Sequence, residues 1–298
     1  MLQKSRRDVA VDDPPRVVDG LQAYELDNKT FDQLRKLIYD ISGIHLKDAK
    51  LQMVQSRLTS RLRTLGLPGF ELYMEHLAAH PEELTHMLNR ITTNKTYFFR
   101  EPKHFDMLRG TVLPELVRRA VGGGLRTVNA WCAASSTGEE PYTLCMELSR
   151  FFAQHSGWSV RLLASDLDTN VLAAACAATY PRSALDGLPS GYASAYTDPA
   201  PGDADAFVIK PEVARLAQFR QINLMGERYP IRSALDFIFC RNVFIYFTRE
   251  DRDKVVKRFI QLLKPGGYLF LGHSEVLDLK EFNDQLRFVG NTTYQRTR

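Results

Sequence analysis

Long apolar runs are missing from this chain of 298 residues. No uninterrupted stretch is long enough to span a bilayer, and the opening MLQKSRRDVAVDDPPRVVDG has no apolar core of the signal-peptide kind. Membrane insertion is therefore not expected. Cysteine is scarce: Cys132, Cys145, Cys176 and Cys240 lie far apart with no Cys-x-x-Cys pair, which leaves no metal motif and no disulfide framework and points to a reducing cytoplasm. Charge of one sign is not in excess either, since 39 basic against 35 acidic residues leave a net charge of +4, which does not demand nucleic acid. Internal repeats and low-complexity blocks are absent too. What is present is an ordinary globular composition, 44% hydrophobic, in a chain long enough for two domains or one large one.

Read in order, residues 1–20 carry charge and Pro14 and Pro15 and form an expected disordered leader. A helix starts at Thr30, whose spacing to Gln33 makes a capping box ahead of Phe31, Leu34, Ile38 and Ile41, and Gly43 ends it. A second, from about Lys50 to Leu65, lines up Leu51, Val54, Leu58, Leu62 and Leu65, with Gly66 as its C-cap. FELYMEHLAAH and a segment starting at Pro81 continue the helical pattern, so residues 21–91 read as an all-helical module. TTNKTYFFR breaks that pattern, a helix follows from Pro102 to Ala120, and strands then alternate with helices to the end. Residues 92–298 are thus a doubly wound α/β domain, with a proline- and glycine-rich insertion at about 181–220. LDFIFCRNVFIYF reads as a nearly continuous buried strand.

The stretch from Arg126 to Asp168 organises that domain. An apolar run from Thr127 to Ala134 meets the small residues Ser135, Ser136, Thr137 and Gly138, then a helical pattern from Pro141, then a second apolar run ending in acid. Such a βαβ unit binds its ligand in the crevice at the carboxyl ends of the strands, and Asp166 is placed to accept hydrogen bonds from ribose hydroxyls. Glu139 and Glu140 put negative charge where a pyrophosphate would want none. A cationic nucleoside such as S-adenosylmethionine (SAM) suits this rim better than a dinucleotide does.

In this order and spacing, TTNKTYFFRE, AASSTGEEPY, ASDLDTNVL, INL, FCRNVFIYF and LKPGGYLFLGHSE resemble the chemotaxis receptor methyltransferase family, CheR, from about residue 25 to the end. The resemblance implies a Rossmann-like SAM-dependent methyltransferase domain with a small β-subdomain, preceded by an all-helical N-terminal domain. It implies methyl transfer to glutamate side chains of the cytoplasmic signalling domain of methyl-accepting chemoreceptors, leaving S-adenosylhomocysteine. Carried over residue by residue, the SAM contacts fall on Asn94, Thr96, Arg100, Glu140, Asp166, Asn223, Leu224, Asn242 and Val243. Arg100 would meet the methionyl carboxylate, and Asn223 with Asn242 the amino group or the adenine edge. Tyr246 faces the methyl-transfer space or belongs to the core, and Arg100 and Tyr246 are the two residues expected at the reacting centre. The basic stripe Lys50, Arg57, Arg61 and Arg63, with Asp48 the sole acid between Lys47 and Arg63, is the implied docking face for acidic receptor helices. Some family members also tether to a C-terminal aromatic pentapeptide of the receptor through a glycine-rich loop. This chain has the glycine-sparse DPAPGDADAF at about that place, so direct docking is expected.

Plainer readings exist for several of these residues. Asp166 could cap the next helix, although Asp168 can do so; Glu140 could be first-turn charge; Arg100 could pair with Glu101; the basic stripe could be a solvated helix face. A nucleic-acid methyltransferase would need an Asp/Asn-Pro-Pro-aromatic motif after the fourth strand, where Cys-Arg-Asn-Val stands, or a Pro-Cys nucleophile, which is absent. A SAM-binding module without turnover is the remaining alternative, and a monomer is the expected state.

Overall fold

The computed structural model describes residues 17–18, 21–22, 24–121, 123 and 125–298. The expected leader thus lies outside the described residues, except that Val17–Val18 (β1) pairs antiparallel with Leu21–Gln22 (β2).

Four helices make the amino-terminal module: α1 (Asn28–Ser42), α2 (Leu51–Leu65), α3 (Phe70–Ala79) and α4 (Glu83–Ile91). Their apolar stripes meet in one core containing Phe31, Leu34, Ile38, Val54, Leu58, Leu62, Tyr73 and Met87. The cap of α1 differs from the sequence expectation. Asp27, not Thr30, is the N-cap: its carboxylate accepts from the Thr30 N–H at 2.9 Å and from its hydroxyl at 2.6 Å, and Thr30 is buried in the first turn. An aspartate three residues upstream outcompetes the Thr30–Gln33 pair because it satisfies a free helix N–H and the buried hydroxyl together. Gly43 closes α1 at φ 72°, where a Cβ would also run into the Met225 side chain of the second domain at 2.6 Å.

The linker leads to α5 (Lys103–Met107), a π-helical turn at Leu108–Val112 and α6 (Leu113–Val121), which the sequence reads as one helix. Then come β3 (Thr127–Ala133), α7 (Glu139–Phe152), β4 (Ser159–Asp166) and α8 (Thr169–Ala177), capped by Asp168. A small antiparallel sheet interrupts: β5 (Thr179–Pro181), β6 (Thr197–Ala200) and β7 (Asp203–Ile209), with α9 (Tyr192–Tyr196) between β5 and β6. After α10 (Pro211–Ala214), the chain returns to the main sheet through β8 (Ala217–Gln221), β9 (Leu235–Cys240), α11 (Arg249–Leu262) and β10 (Leu263–Leu271), and ends in β11 (Leu286–Gly290) and β12 (Thr293–Arg296).

The seven-stranded sheet runs β11-β12-β10-β9-β3-β4-β8, parallel from β10 to β8 and antiparallel at β11 and β12. Both faces are covered, which explains the near-continuous apolar runs. Val128, Ala130 and Cys132 of β3 and Phe237 and Phe239 of β9 pack on one side with α5, α6 and α7; Trp131, Ile238 and Cys240 pack on the other with Val255, Val256 and Phe259 of α11. Strand order reverses beside β3, and a crevice at the carboxyl ends there is where such sheets take ligands. The run LDFIFCRNVFIYF is not one strand: β9 stops at Cys240, and Asn242 turns with φ 60°. The terminal pair β11–β12 was not anticipated from the sequence.

Candidate active site

The helical module closes over that crevice through hydrogen bonds from one domain to the other. Asn89 Nδ2 donates to Thr169 Oγ1 at 2.8 Å, Asn223 Nδ2 donates to the Ile41 carbonyl at 2.6 Å, and the His45 N–H donates to the Tyr246 carbonyl at 2.8 Å, while in the linker that follows the module Thr92 Oγ1 and Asn94 Nδ2 each donate to Asp168 Oδ2 at 2.8 Å. The cavity between the two domains is lined by Asn94, Thr96, Arg100, Glu140, Asp166, Asn223, Leu224, Asn242, Val243 and Tyr246, among others. Every cofactor residue expected from the sequence therefore borders one space, as does Lys50 from the start of α2.

Within it the residues are held differently. Asp166 ends β4 and is 8% exposed; its Oδ2 accepts from the Ser136 N–H at 2.8 Å and its Oδ1 from the Asp168 N–H at 3.0 Å. These two bonds orient a carboxylate that keeps further lone pairs for hydroxyl donors. Burial pushes its pKa above the ordinary aspartate value. The Asn223 amide is spent on Ile41 and, through Oδ1, on the Met225 N–H at 2.9 Å, so this side chain pins the domains together where it borders the cavity. The Arg100 guanidinium donates to the Lys95 carbonyl at 2.7 Å and lies 5.8 Å from the Tyr97 ring centroid, beside the cavity and not paired with Glu101. Tyr246 is half-buried in the wall.

One functional residue escaped the sequence reading. Arg241, at the end of β9, has a fully buried side chain that reaches Glu140 Oε2 at 2.5 Å, Glu101 Oε2 at 2.9 Å and the Arg100 carbonyl at 2.6 Å. Burial disfavours its charge, but Glu140 and Glu101 more than offset this and hold its pKa above the usual arginine value. Glu101 likewise stays below the ordinary glutamate range despite burial, because Arg241 faces it. The available signal was an arginine closing a fully buried apolar strand, where an unpaired guanidinium is not tolerated. Backbone strain gathers here as well: Phe99, Glu101, Ala134, Ser136 and Asn242 all have positive φ, between 48° and 60°.

The docking stripe is divided. Lys50 and Arg63 are exposed. Arg61 is not a free surface cation: it makes a forked pair with Glu83 at 2.8 and 2.5 Å, with Tyr73 as a further partner of Glu83, and its side chain is 14% exposed. Arg57 donates to the Ile91 and Thr92 carbonyls at 2.5 and 3.0 Å, satisfying the C-terminus of α4. The solvated or docking face read from the sequence overlooked these partners because both lie more than twenty residues away in the chain.

Comparison with known proteins settles the family. Residues 94–295 match the family described as CheR methyltransferase, SAM binding domain, and residues 29–92 match CheR methyltransferase, all-alpha domain. The chain belongs to the CheR methyltransferase family. It is 37% identical to chemotaxis protein methyltransferase 2 of Pseudomonas aeruginosa, an alignment covering 94% of this chain and 97% of that protein. It is 39% identical to a probable chemotaxis protein methyltransferase of Rhizobium etli over 88% of this chain and 97% of that one. The chemotaxis protein methyltransferase of Escherichia coli is 38% identical over 90% and 91%.

SAM is the cofactor of this family, and the CheR cavity fits it. Asp166 offers an oriented acceptor for ribose hydroxyls, the acids suit a cationic ligand, and the Asn242 Oδ1 atom in the wall is a buried acceptor with no protein partner.

Proposed function

We propose that this CheR protein transfers the methyl group of SAM to glutamate side chains on the cytoplasmic signalling domain of chemoreceptors, forming glutamyl methyl esters. The observation that carries the reading is the convergence of Asp166, Glu140 on Arg241, Asn242 and Arg100 on one cavity beneath the helical module.

Bound SAM supplies an electrophilic methyl on a sulfonium. Asp166 would hold the ribose, Glu140 and Asn242 would border the polar end, and Arg100 would take the methionyl carboxylate. A substrate glutamate is ionised at neutral pH, so its oxygen attacks in line without a general base. One O–C bond forms as one S–C bond breaks, carboxylate and sulfonium charges cancel, and neutral ester and thioether remain. Cancelling charge is favoured where water is excluded, which is the work of the overlying helical module. Tyr246 in the wall helps orient the acceptor carboxylate, and alignment is the larger part of catalysis.

Residues 21–91 serve as the receptor-docking domain and residues 92–298 as the methyltransferase domain. Lys50 and Arg63, the exposed members of the stripe, steer the acidic receptor helices, with an attraction that weakens in salt. The protein works in the cytoplasm as a monomer. Among the described residues no helix is long and apolar enough to cross a membrane. The test is incubation with tritiated SAM and purified receptor fragments: label released by mild base is expected, and none on any fragment would remove the proposal.

A further inference from the structure

Glu101 has no role in the reading above. It follows Arg100 in the linker turn at φ 58°, its side chain is 10% exposed, and its two oxygens hold two different residues. Oε1 accepts from Asn242 Nδ2 at 3.1 Å, and Oε2 lies 2.9 Å from Arg241 Nη2. The other arm of the same guanidinium, Nη1, holds Glu140 at 2.5 Å. Phe105 and Phe239 flank the guanidinium at 5.7 and 6.0 Å, so apolar rings wall it in, and the two carboxylates with the Arg100 carbonyl, 2.6 Å from Nη2, decide where it sits.

We propose that Glu101 is a positioning residue for the cofactor: through Arg241 it sets the place of the Glu140 carboxylate in the cavity wall. The inference rests on the SAM-binding reading of this cavity. A guanidinium fork can serve two carboxylates at once, and with both in place each is held to one of its edges. Without the Glu101 charge, the buried cation has Glu140 as its sole carboxylate partner and draws it out of the wall. Glu101 also fixes the Asn242 amide, because an ionised carboxylate only accepts and must face the NH₂ end. The Asn242 backbone is fixed by its N–H, which donates to Glu275 Oε2 at 2.9 Å, and Gly272 leaves the amide its room, since a Cβ there would lie 2.6 Å from Nδ2.

The test is a double-mutant cycle on S-adenosylhomocysteine affinity, measured by calorimetry on the whole protein with folding checked by circular dichroism. Glu101→Gln and Glu140→Gln should each weaken binding about tenfold, and the double variant by about the same factor instead of a hundredfold, because one residue acts through the other. Arg241→Lys keeps the charge but cannot span both carboxylates, so it should match Glu101→Gln and carries the test should that variant not fold. Multiplicative losses near a hundredfold, or a Glu101→Gln protein that binds normally while melting earlier, would overturn the inference and leave the methyltransferase reading standing. Wild-type protein that fails to bind would overturn both.

Discussion

Burial acts on Asp166 and His104 through the same cost of charge, with different results. Desolvation raises the Asp166 pKa, so the ionised form that accepts ribose hydroxyls is lost on acidification at a higher pH than an ordinary aspartate would set. SAM affinity should hold at neutral pH and fall through that raised pKa, a dependence that calorimetry across pH would reveal and that Asp166→Asn should abolish. Asp166→Ala should weaken SAM binding about a hundredfold, the loss of two charge-assisted bonds, with the circular dichroism spectrum unchanged. Unaltered affinity would take Asp166 out of the site. His104 is fully buried against Phe239, Phe270 and Arg241, and burial first, then Arg241, lowers its pKa to about 4. The unfolded chain takes up that proton near pH 6.5, the folded one only near 4. Stability should therefore be full above about pH 6.5 and decline by about 3 kcal/mol toward pH 4. Urea unfolding at several pH values checks this, and His104→Gln should flatten the slope. Asp166 was legible in the sequence because an acid ending a strand has a local signature. Arg241 and Glu101 were not, because their meaning lies in each other, 140 positions apart in sequence.

At the level of elements, α2 carries a structural duty beside the docking role proposed for it. Arg61→Ala would strand Glu83, which is 3% exposed, next to Tyr73, and should destabilise the protein by roughly 3 kcal/mol in urea unfolding. Reversing charge at Arg61 or Arg57 thus perturbs the fold before it tests docking. Arg63→Glu is the cleaner probe: methylation of receptor fragments should slow several-fold, more at low salt than at high, while S-adenosylhomocysteine affinity stays the same. Equal rates at all salt concentrations would argue against electrostatic docking. The turn from β6 to β7 carries Gly202 as its one glycine, so fragments with and without a C-terminal aromatic tail should be methylated alike. Helical stripes and the βαβ unit could be read from periodicity. The end of β9 could not, because apolar residues resume at Val243 in a turn where only Phe244 of Phe244–Tyr246 is buried, and periodicity cannot separate strand from turn there.

Across the whole molecule, the cavity exists because two domains meet. Neither the helical module nor the sheet forms it alone: Asn89 reaches Thr169, Asn223 reaches Ile41, and Tyr39 reaches Asp251 at 2.5 Å. The sequence showed the two parts and, through six motifs in order, the family they compose. It could not show that Asn223 and Asn89 bind the domains to one another, since that depends on closure. The function turns on whether this cavity binds SAM and delivers its methyl to a carboxylate. The most direct measurement is calorimetric titration of the purified protein with SAM, followed in the same buffer by tritiated methyl transfer to a panel of chemoreceptor cytoplasmic fragments. Saturable one-site binding together with base-labile label on a receptor is the expected result, and protein that binds no SAM at all would contradict the site built on Asp166 and Glu140.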